Sequence, residues 1–301
     1  MPESTELSTV HRDLDEDARI TAATIPLVVP APTAATPRVA VVPIQVGGTK
    51  RPLFYLHVHV TGGAFYNFAL ARDLGPDQPF YMLDPYRLES DEMPPSLEAM
   101  AAAYIEALRT VQPEGPYLLS GFCGGGIIAF EMAQQLRARG QDVDLLILIE
   151  PRDGPAPHRL LFRKLWIGAI RRIGALCGRN EATQLEWFLR FRHVGLQLVK
   201  SPYRTEEKVS LFPPTEVLRR DWIGTFVWII SRYHTRRYPG KAIYFWACEE
   251  PKHIRRQWGE IKEAEELEEH LIPGSHTTCR TIHLHEMAGA FEECLSRVQP
   301  R

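Results

Sequence analysis

The run YLLSGFCGGGIIAFEMAQQL, residues 117–136, sets Cys123 between Gly121 and Gly125 where an apolar strand passes directly into an amphipathic helix. A small–x–nucleophile–x–small pattern at such a turn has a steric reason: the turn strains its central residue, and bulky flanking side chains would clash. Cys123 would then project above the sheet, over a helix N-terminus whose dipole favours a thiolate. The Gly124 N–H at that end offers one donor of an oxyanion hole. Two other readings compete, because free cysteine is commonly a small buried apolar group and Gly-rich strand-to-helix turns also cradle phosphates. The segment lacks GxGxxG spacing, lies on the third or later strand, and has no ribose-binding acid about twenty residues on. The nucleophile reading is therefore preferred.

A thiol nucleophile needs a base, expected on a loop after the last strand, with an acid between the two in chain order. Glu150 ends the strand DLLILIE, the one after the elbow helix and 27 residues past Cys123. Asp153 is the competing acid, and either could be a solvated loop carboxylate. His276, in HLIPGSHTTCRTIH, follows the final strand and a Pro-Gly turn, where the base belongs. His283 and His285 are expected on or at the start of the last helix in surface or capping roles, and Cys279 in packing.

Near the amino end, FYLHVHVTGGAFYNFALA reads as a strand, a Gly62-Gly63 loop and a helix, the usual source of the second oxyanion donor. Val60 or Thr61 would supply it. His57 and His59 form an HxH that could ligate a metal, but no carboxylate or further histidine stands at suitable spacing. The expectation is no metal, with His59 shaping the loop.

These residues need a frame to hold them at one edge. From Arg38, short β-branched or aromatic runs alternate with helical patterns: VAVVPI, PLFYLHVHV, a helix near 65–74, FYMLDP, a helix over 96–111, YLLSGF, a helix over 125–139 and DLLILIE. Alternation of this kind implies right-handed crossovers and a mostly parallel sheet with helices on both faces, an α/β fold. It stops after Glu150 and resumes with AIYFWACEE, a helix around 254–261, HLIPGSH and a last helix from about 282 to 298. The interruption, taken as a helical lid over 154–240, repeats apolar residues at helical spacing. Trp166, Trp187, Phe191, Trp222 and Trp228 belong either to a substrate pocket or to the lid core. Residues 151–241 carry 18 Lys and Arg against 7 Asp and Glu, although the whole chain is at −2. Residues 1–38, acidic and then rich in Ala, Thr and Pro, read as a tail or linker before an enzyme domain over 39–301.

At 301 residues, with 45% hydrophobic and 24% charged positions, the chain has the composition of a globular protein rather than a fibrous or disordered one. Nothing global points to nucleic acid, no apolar run reaches transmembrane length, and stable membrane association is not expected. Five cysteines without a CxxC pair fit a reduced, cytoplasmic setting.

Taken together, PLFYLHVHVTGG, LGPDQPFYMLDP, SLEAMAAAYIEALRTVQPEGPYLLSGFCGGG, the strand DLLILIE and the late GSH resemble the thioesterase domains that end nonribosomal peptide and polyketide assembly lines. The resemblance spans nearly all of residues 40–300 except the lid. It implies an α/β-hydrolase fold, a nucleophile–acid–His triad falling on Cys123, Glu150 and His276, and an acyl chain delivered on the phosphopantetheine arm of a carrier protein or synthase module, with no bound cofactor. Three departures stand out: Cys123 replaces the common Ser, Glu150 the usual Asp, and His59-Val60 the commoner His-Gly or His-Pro. Only the first alters the chemistry, because sulfur exchanges one thioester for another and keeps the acyl group activated for a small-molecule acceptor, water or a second carrier thiol. Ring-closing or condensing release, transfer between carrier proteins, hydrolytic editing and a non-catalytic scaffold are the functions this leaves. Carrier proteins present acidic surface, so a basic lid would steer them, with Arg163, Lys164, Arg171, Arg172, Arg236 and Arg237 as the clustered candidates.

Overall fold

The computed structural model describes residues 37–57, 63–88, 92–151, 157–198, 213–234, 236, 238–249 and 264–299, without the side chains of 63–65, 157–164, 198, 264 and 265. Residues 1–36, like the helix expected around 254–261, lie outside the described residues.

Strands β1 (Val41–Gln45), β2 (Leu53–His57), β3 (Phe80–Leu83), β4 (Tyr117–Phe122), β5 (Val143–Ile149), β6 (Tyr238–Ala247) and β7 (Ala264–Ile272) form one sheet in the order β1-β3-β2-β4-β5-β6-β7. β1 pairs antiparallel with β3, and every other pairing is parallel. The central strands read as continuous apolar runs because both faces are covered: every residue of β2 and β4 is buried, and all but Asp144 of β5.

Helices α1 (Gly63–Asp73), α2 (Leu97–Arg109) and α3 (Gly124–Ala138) cross between the early strands. In α2 the buried residues Leu97, Met100, Ala101, Tyr104, Ile105 and Leu108 follow the i, i+3, i+4, i+7 stripe, and Ser96 caps the start by accepting the Ala99 N–H at 3.2 Å. α2 and α3 pack on one face of the sheet; α1 and the last helix, α8 (Leu284–Val298), pack on the other.

Between β5 and β6 the described elements are all helices: α4 (Pro157–Leu176), α5 (Glu181–Leu198), α6 (Thr215–Arg219) and α7 (Trp222–Ile230). This insertion has a core of its own, built from Ile167, Ile170, Leu185, Phe188, Leu189, Leu218, Val227 and Trp228. α7 joins it to the body, since Phe226, Ile229 and Ile230 pack instead into the core under the sheet. A helix buried on both sides must be apolar all round, which is what WIGTFVWII is. Among the aromatics, Trp228 is buried in the insertion's core with Trp187 packed against it, and Trp222 packs against the main core. Trp166 and Phe191 are exposed and meet edge to face at 5.2 Å. No helix among the described residues is long and apolar enough to cross a membrane.

Candidate active site

β4 delivers Cys123 to the carboxyl edge of the sheet, and α3 begins at the next residue. Cys123 has φ 55° and ψ −123°, a conformation that L side chains rarely adopt, held by its N–H to the Ile149 carbonyl at 2.9 Å and by the Gly126 N–H to its own carbonyl at 3.0 Å. The flanking glycines are obligatory. A Cβ at Gly121 would come within 2.3 Å of the Gly125 carbonyl oxygen, and one at Gly125 within 2.5 Å of the Leu56 carbonyl oxygen. So β2, β4 and α3 approach one another backbone to backbone, and the half-buried thiol sits at the first turn of α3, next to the Gly124 N–H.

The neighbouring strand β5 delivers Glu150, which also has positive φ, at 45°. Its side chain is fully buried but fully used: Oε1 accepts the Ala247 N–H at 2.6 Å, and Oε2 lies 3.2 Å from His276 Nδ1. A buried carboxylate is tolerable only with such partners. His276 comes from the loop after β7, one-quarter exposed, with its ring 4.7 Å from that of Phe122, the residue before the candidate nucleophile. With Nδ1 turned to the carboxylate, a proton transfer by this ring would use Nε2. Residues separated by 126 positions in sequence thus meet at the ends of adjacent strands.

Val60, Thr61, His59, Asp153 and Arg237 lie outside the described residues, as do the side chains of Arg163 and Lys164. His283 is the N-terminal flanking residue of α8, and Cys279 is buried in packing. Arg172 and Arg236 are exposed. Arg171 is directed inward, its guanidinium 4.3 Å above the Trp228 ring, and burial pulls its pKa down to about 10. Its charge is committed to the insertion's core rather than to a surface cluster.

The sequence reading passed over Arg280. This residue ends the 3-10 turn Thr278–Arg280, four positions after His276, and lays its guanidinium 4.5 Å from the Phe122 ring and 5.3 Å from that of Tyr66 on α1. Its Nη1 lies 2.7 Å from Nε2 of His57, whose ring stacks on the other partner of the group, Phe122. Because arginine can only donate, His57 must be neutral with its proton on Nδ1. Arg280 therefore ties the His276 turn to the end of β2 and to the elbow strand. A lone arginine in HTTCRT carries no sequence signal for that role.

Residues 51–165 match the family model described as the thioesterase domain. Those residues belong to the thioesterase-domain family. Among curated proteins the chain is similar to a dimodular nonribosomal peptide synthase of Bacillus subtilis (strain 168), 41% identical over 110 residues, which covers 36% of this chain and 4% of the relative. It is also similar to atromentin synthetase of Tapinella panuoides, 29% identical over 183 residues, 59% of this chain and 18% of the relative. The chain thus spans less than a fifth of the length of these relatives. Among solved structures, the NocB thioesterase domain from the nocardicin cluster superposes with a TM-score of 0.57 at 23% identity, over 87% of this chain and all of that one. The four-domain nonribosomal peptide synthetase AB3403 gives 0.57 at 22% identity, over 87% of this chain and 20% of that one. These likenesses establish the α/β-hydrolase fold of thioesterase domains.

Proposed function

We propose that this chain takes an acyl, aminoacyl or peptidyl group from a carrier-protein thioester onto Cys123 and passes it to an acceptor in natural-product biosynthesis. The observation that carries the reading is a positive-φ cysteine at a helix N-terminus beside a buried Glu150, at the end of the adjacent strand, that lies 3.2 Å from His276 Nδ1. The thioesterase-domain match and the synthetase relatives support thioester handling; the Cys-mediated transfer is our own step.

In this mechanism His276 Nε2 takes the thiol proton, and the sulfur forms a bond to the thioester carbonyl carbon. The Gly124 N–H, with a donor from the Val60–Thr61 loop, stabilises the oxyanion. Collapse breaks the carbon–sulfur bond to pantetheine, which leaves with the proton from the imidazolium. Glu150 stabilises that imidazolium and fixes the ring. An incoming amine, hydroxyl or thiol then gives its proton to His276 and displaces Cys123 by the same route. An unperturbed thiol near pKa 8.5 is only about 3% ionised at pH 7, so the base and the helix end must raise the thiolate share. Transfer between thioesters is nearly isoenergetic, which favours conjugation over hydrolysis. No resident cofactor is required, the helical segment over 154–240 serves as the lid, and a reduced cytoplasmic setting suits the free thiol.

The test is mass spectrometry of the protein after incubation with acyl-pantetheine mimics and candidate nucleophiles. The expected result is a thioester on Cys123, absent in Cys123→Ala, and an acyl–acceptor conjugate as product. Full turnover by Cys123→Ala would end the proposal, and free acid as sole product would convert it to hydrolytic editing.

A further inference from the structure

Cys294 on α8 is 1% exposed, and its Sγ lies 3.9 Å from Nε2 of His270 on β7. The same Nε2 is 2.6 Å from Oε1 of Glu268, two residues earlier on that strand and therefore on the same face. At 2.6 Å the Nε2 proton is committed to the carboxylate, so this nitrogen has no second proton for the sulfur. A carboxylate oxygen, an imidazole nitrogen and a thiol sulfur thus converge around one proton, all within 4.8 Å of one another.

Ion pairing explains Glu268 by itself. Lys241 holds its Oε2, and Arg297 bonds its Oε1 while keeping Glu293 as a further partner. Packing explains why Cys294 is buried, since Phe245, Ile272 and Phe291 share its core. Neither accounts for an imidazole nitrogen turned toward both the carboxylate and the sulfur.

The mixed donor set selects the ligand. Nitrogen, oxygen and sulfur together suit zinc, whereas magnesium and calcium take oxygen alone. Zn–N and Zn–S bonds of about 2.1 and 2.3 Å set tetrahedral donor atoms roughly 3.6 Å apart, close to the 3.9 Å between Nε2 and Sγ. The carboxylate oxygen has to retreat from 2.6 Å to about 3.4 Å, a shift within reach of a glutamate side chain. Lys241, on the other oxygen, can keep that carboxylate oriented, as hydrogen-bond partners behind a metal ligand do. On the inner side, the His270 ring lies 5.2 Å from that of Phe245, which in turn meets Phe291 at 5.2 Å, an apolar wall that limits solvent. On the outer side the Glu268 and His270 side chains are 23% and 19% exposed, which gives a metal its way in.

We propose that Glu268, His270 and Cys294 form a zinc site that clips α8 to β7. Oε1, Nε2 and Sγ each give an electron pair to the metal, and solvent takes the fourth position. The thiol proton leaves to solvent, and the neutral ring moves its proton from Nε2 to Nδ1. The site lies within β7, before the end of that strand at Ile272, and uses none of the residues assigned to acyl transfer. The turn that carries His276 runs between the two clipped elements, so the metal closes a loop spanning 24 positions around it.

Cobalt titration of the chelator-treated full chain, followed by absorption, tests the site. One equivalent of Co2+ should bring up a thiolate-to-cobalt charge-transfer band and the intense visible bands of four-coordinate cobalt, and Zn2+ should bleach both. Cys294→Ser should lose the charge-transfer band, His270→Gln should weaken cobalt binding at least tenfold, and Cys123→Ala should titrate as the parent does. Zinc should raise the Tm of the parent and of Cys123→Ala but not that of His270→Gln. Cys294 is buried, so if Cys294→Ser fails to fold, His270→Gln at its part-exposed position carries the test. Absence of the charge-transfer band in excess cobalt overturns the site, as does a band that persists at unchanged affinity in His270→Gln.

Discussion

Cys123 and Glu150 are the two non-glycine residues with positive φ among the described residues, and they end adjacent parallel strands that the Cys123 N–H joins through the Ile149 carbonyl. Each such conformation costs on the order of 1–3 kcal/mol and persists only where surrounding structure imposes it. Here the imposition is visible: the backbones of β2, β4 and α3 are in contact around Cys123, and the Glu150 N–H is held by the Phe245 carbonyl at 2.9 Å. The strain turns two side chains out of the sheet at the edge where His276 arrives.

That strain can be measured. Cys123→Gly removes the Cβ that makes φ 55° unfavourable, whereas Cys123→Ala keeps it. After the larger entropy of glycine in the unfolded chain is set against the relief, Cys123→Gly should remain about 1 kcal/mol more stable than Cys123→Ala, or roughly 2–4 °C in Tm. Both should be devoid of acyl transfer. Equal melting temperatures would show that position 123 stores no strain.

The elbow glycines give the opposite sign. Gly125→Ala drives a Cβ to 2.5 Å from the Leu56 carbonyl oxygen, a backbone atom that cannot swing away. The expected loss is about 3 kcal/mol, the upper part of the range for overpacking, together with loss of activity. Gly126→Ala meets its nearest backbone atom at 3.1 Å and should cost clearly less. Urea unfolding of the pair checks the order.

Much of this was legible in the residues because parallel strands and tight elbows leave strong marks. LLILIE reads as a doubly buried strand, and a cysteine between glycines after such a strand has few alternatives. Chain order and strand ends point to Glu150, ahead of Asp153, and to His276, and these two side chains meet at 3.2 Å. What stayed hidden depends on side-chain direction across long separations: Arg171 reads as one of a basic cluster and folds over Trp228, while Arg280 reads as an ordinary loop cation and joins three elements. Charge counts carry no information about which way a guanidinium turns. Nor do they reveal that Arg38, Arg87 and Arg219, far apart in the chain, share a cleft.

Glu150 carries two loads that mutation separates. Glu150→Gln keeps an oxygen for the Ala247 N–H but presents an uncharged group to His276, so stability should change little while kcat falls by at least about a hundredfold. Glu150→Ala also strands the Ala247 N–H and adds a loss of about 1–3 kcal/mol. Comparable thermal stability of the two variants would contradict the hydrogen-bond assignment.

Arg280 is a positioning residue, acting through His57, Phe122 and the His276 turn. Arg280→Lys retains charge but loses the planar stack and the fixed donor geometry. We expect kcat for acyl transfer to fall about tenfold in Arg280→Lys and further in Arg280→Gln, with KM nearly constant and Tm lowered by no more than a few degrees. A variant that raised KM alone would instead make Arg280 a substrate contact.

The edge strand supplies a pH prediction. Glu268 on β7 is held by Lys241, then His270 and Arg297, and this company draws its pKa from 4.5 down to about 2. A carboxyl whose folded pKa is depressed contributes stability that is complete above its unfolded pKa and is lost as pH falls toward the folded one. The difference in unfolding free energy between the parent and Glu268→Gln should therefore be constant above about pH 5, shrink below pH 4.5 and vanish near pH 2. Its plateau should be on the order of 1 kcal/mol once the exposure of Lys241 and Arg297 is discounted. The neighbouring Cys294 Sγ and Glu268 Oε1 both address His270 Nε2, at 3.9 and 2.6 Å, so the imidazole cannot relay a proton between them as it could through opposite ring nitrogens. Burial pushes the Cys294 thiol up to about 11, and it should remain unalkylated at pH 8 under conditions that label Cys123. Peptide mapping after timed alkylation reads both cysteines at once, and preferential labelling of Cys294 would reverse the assignment of the reactive thiol.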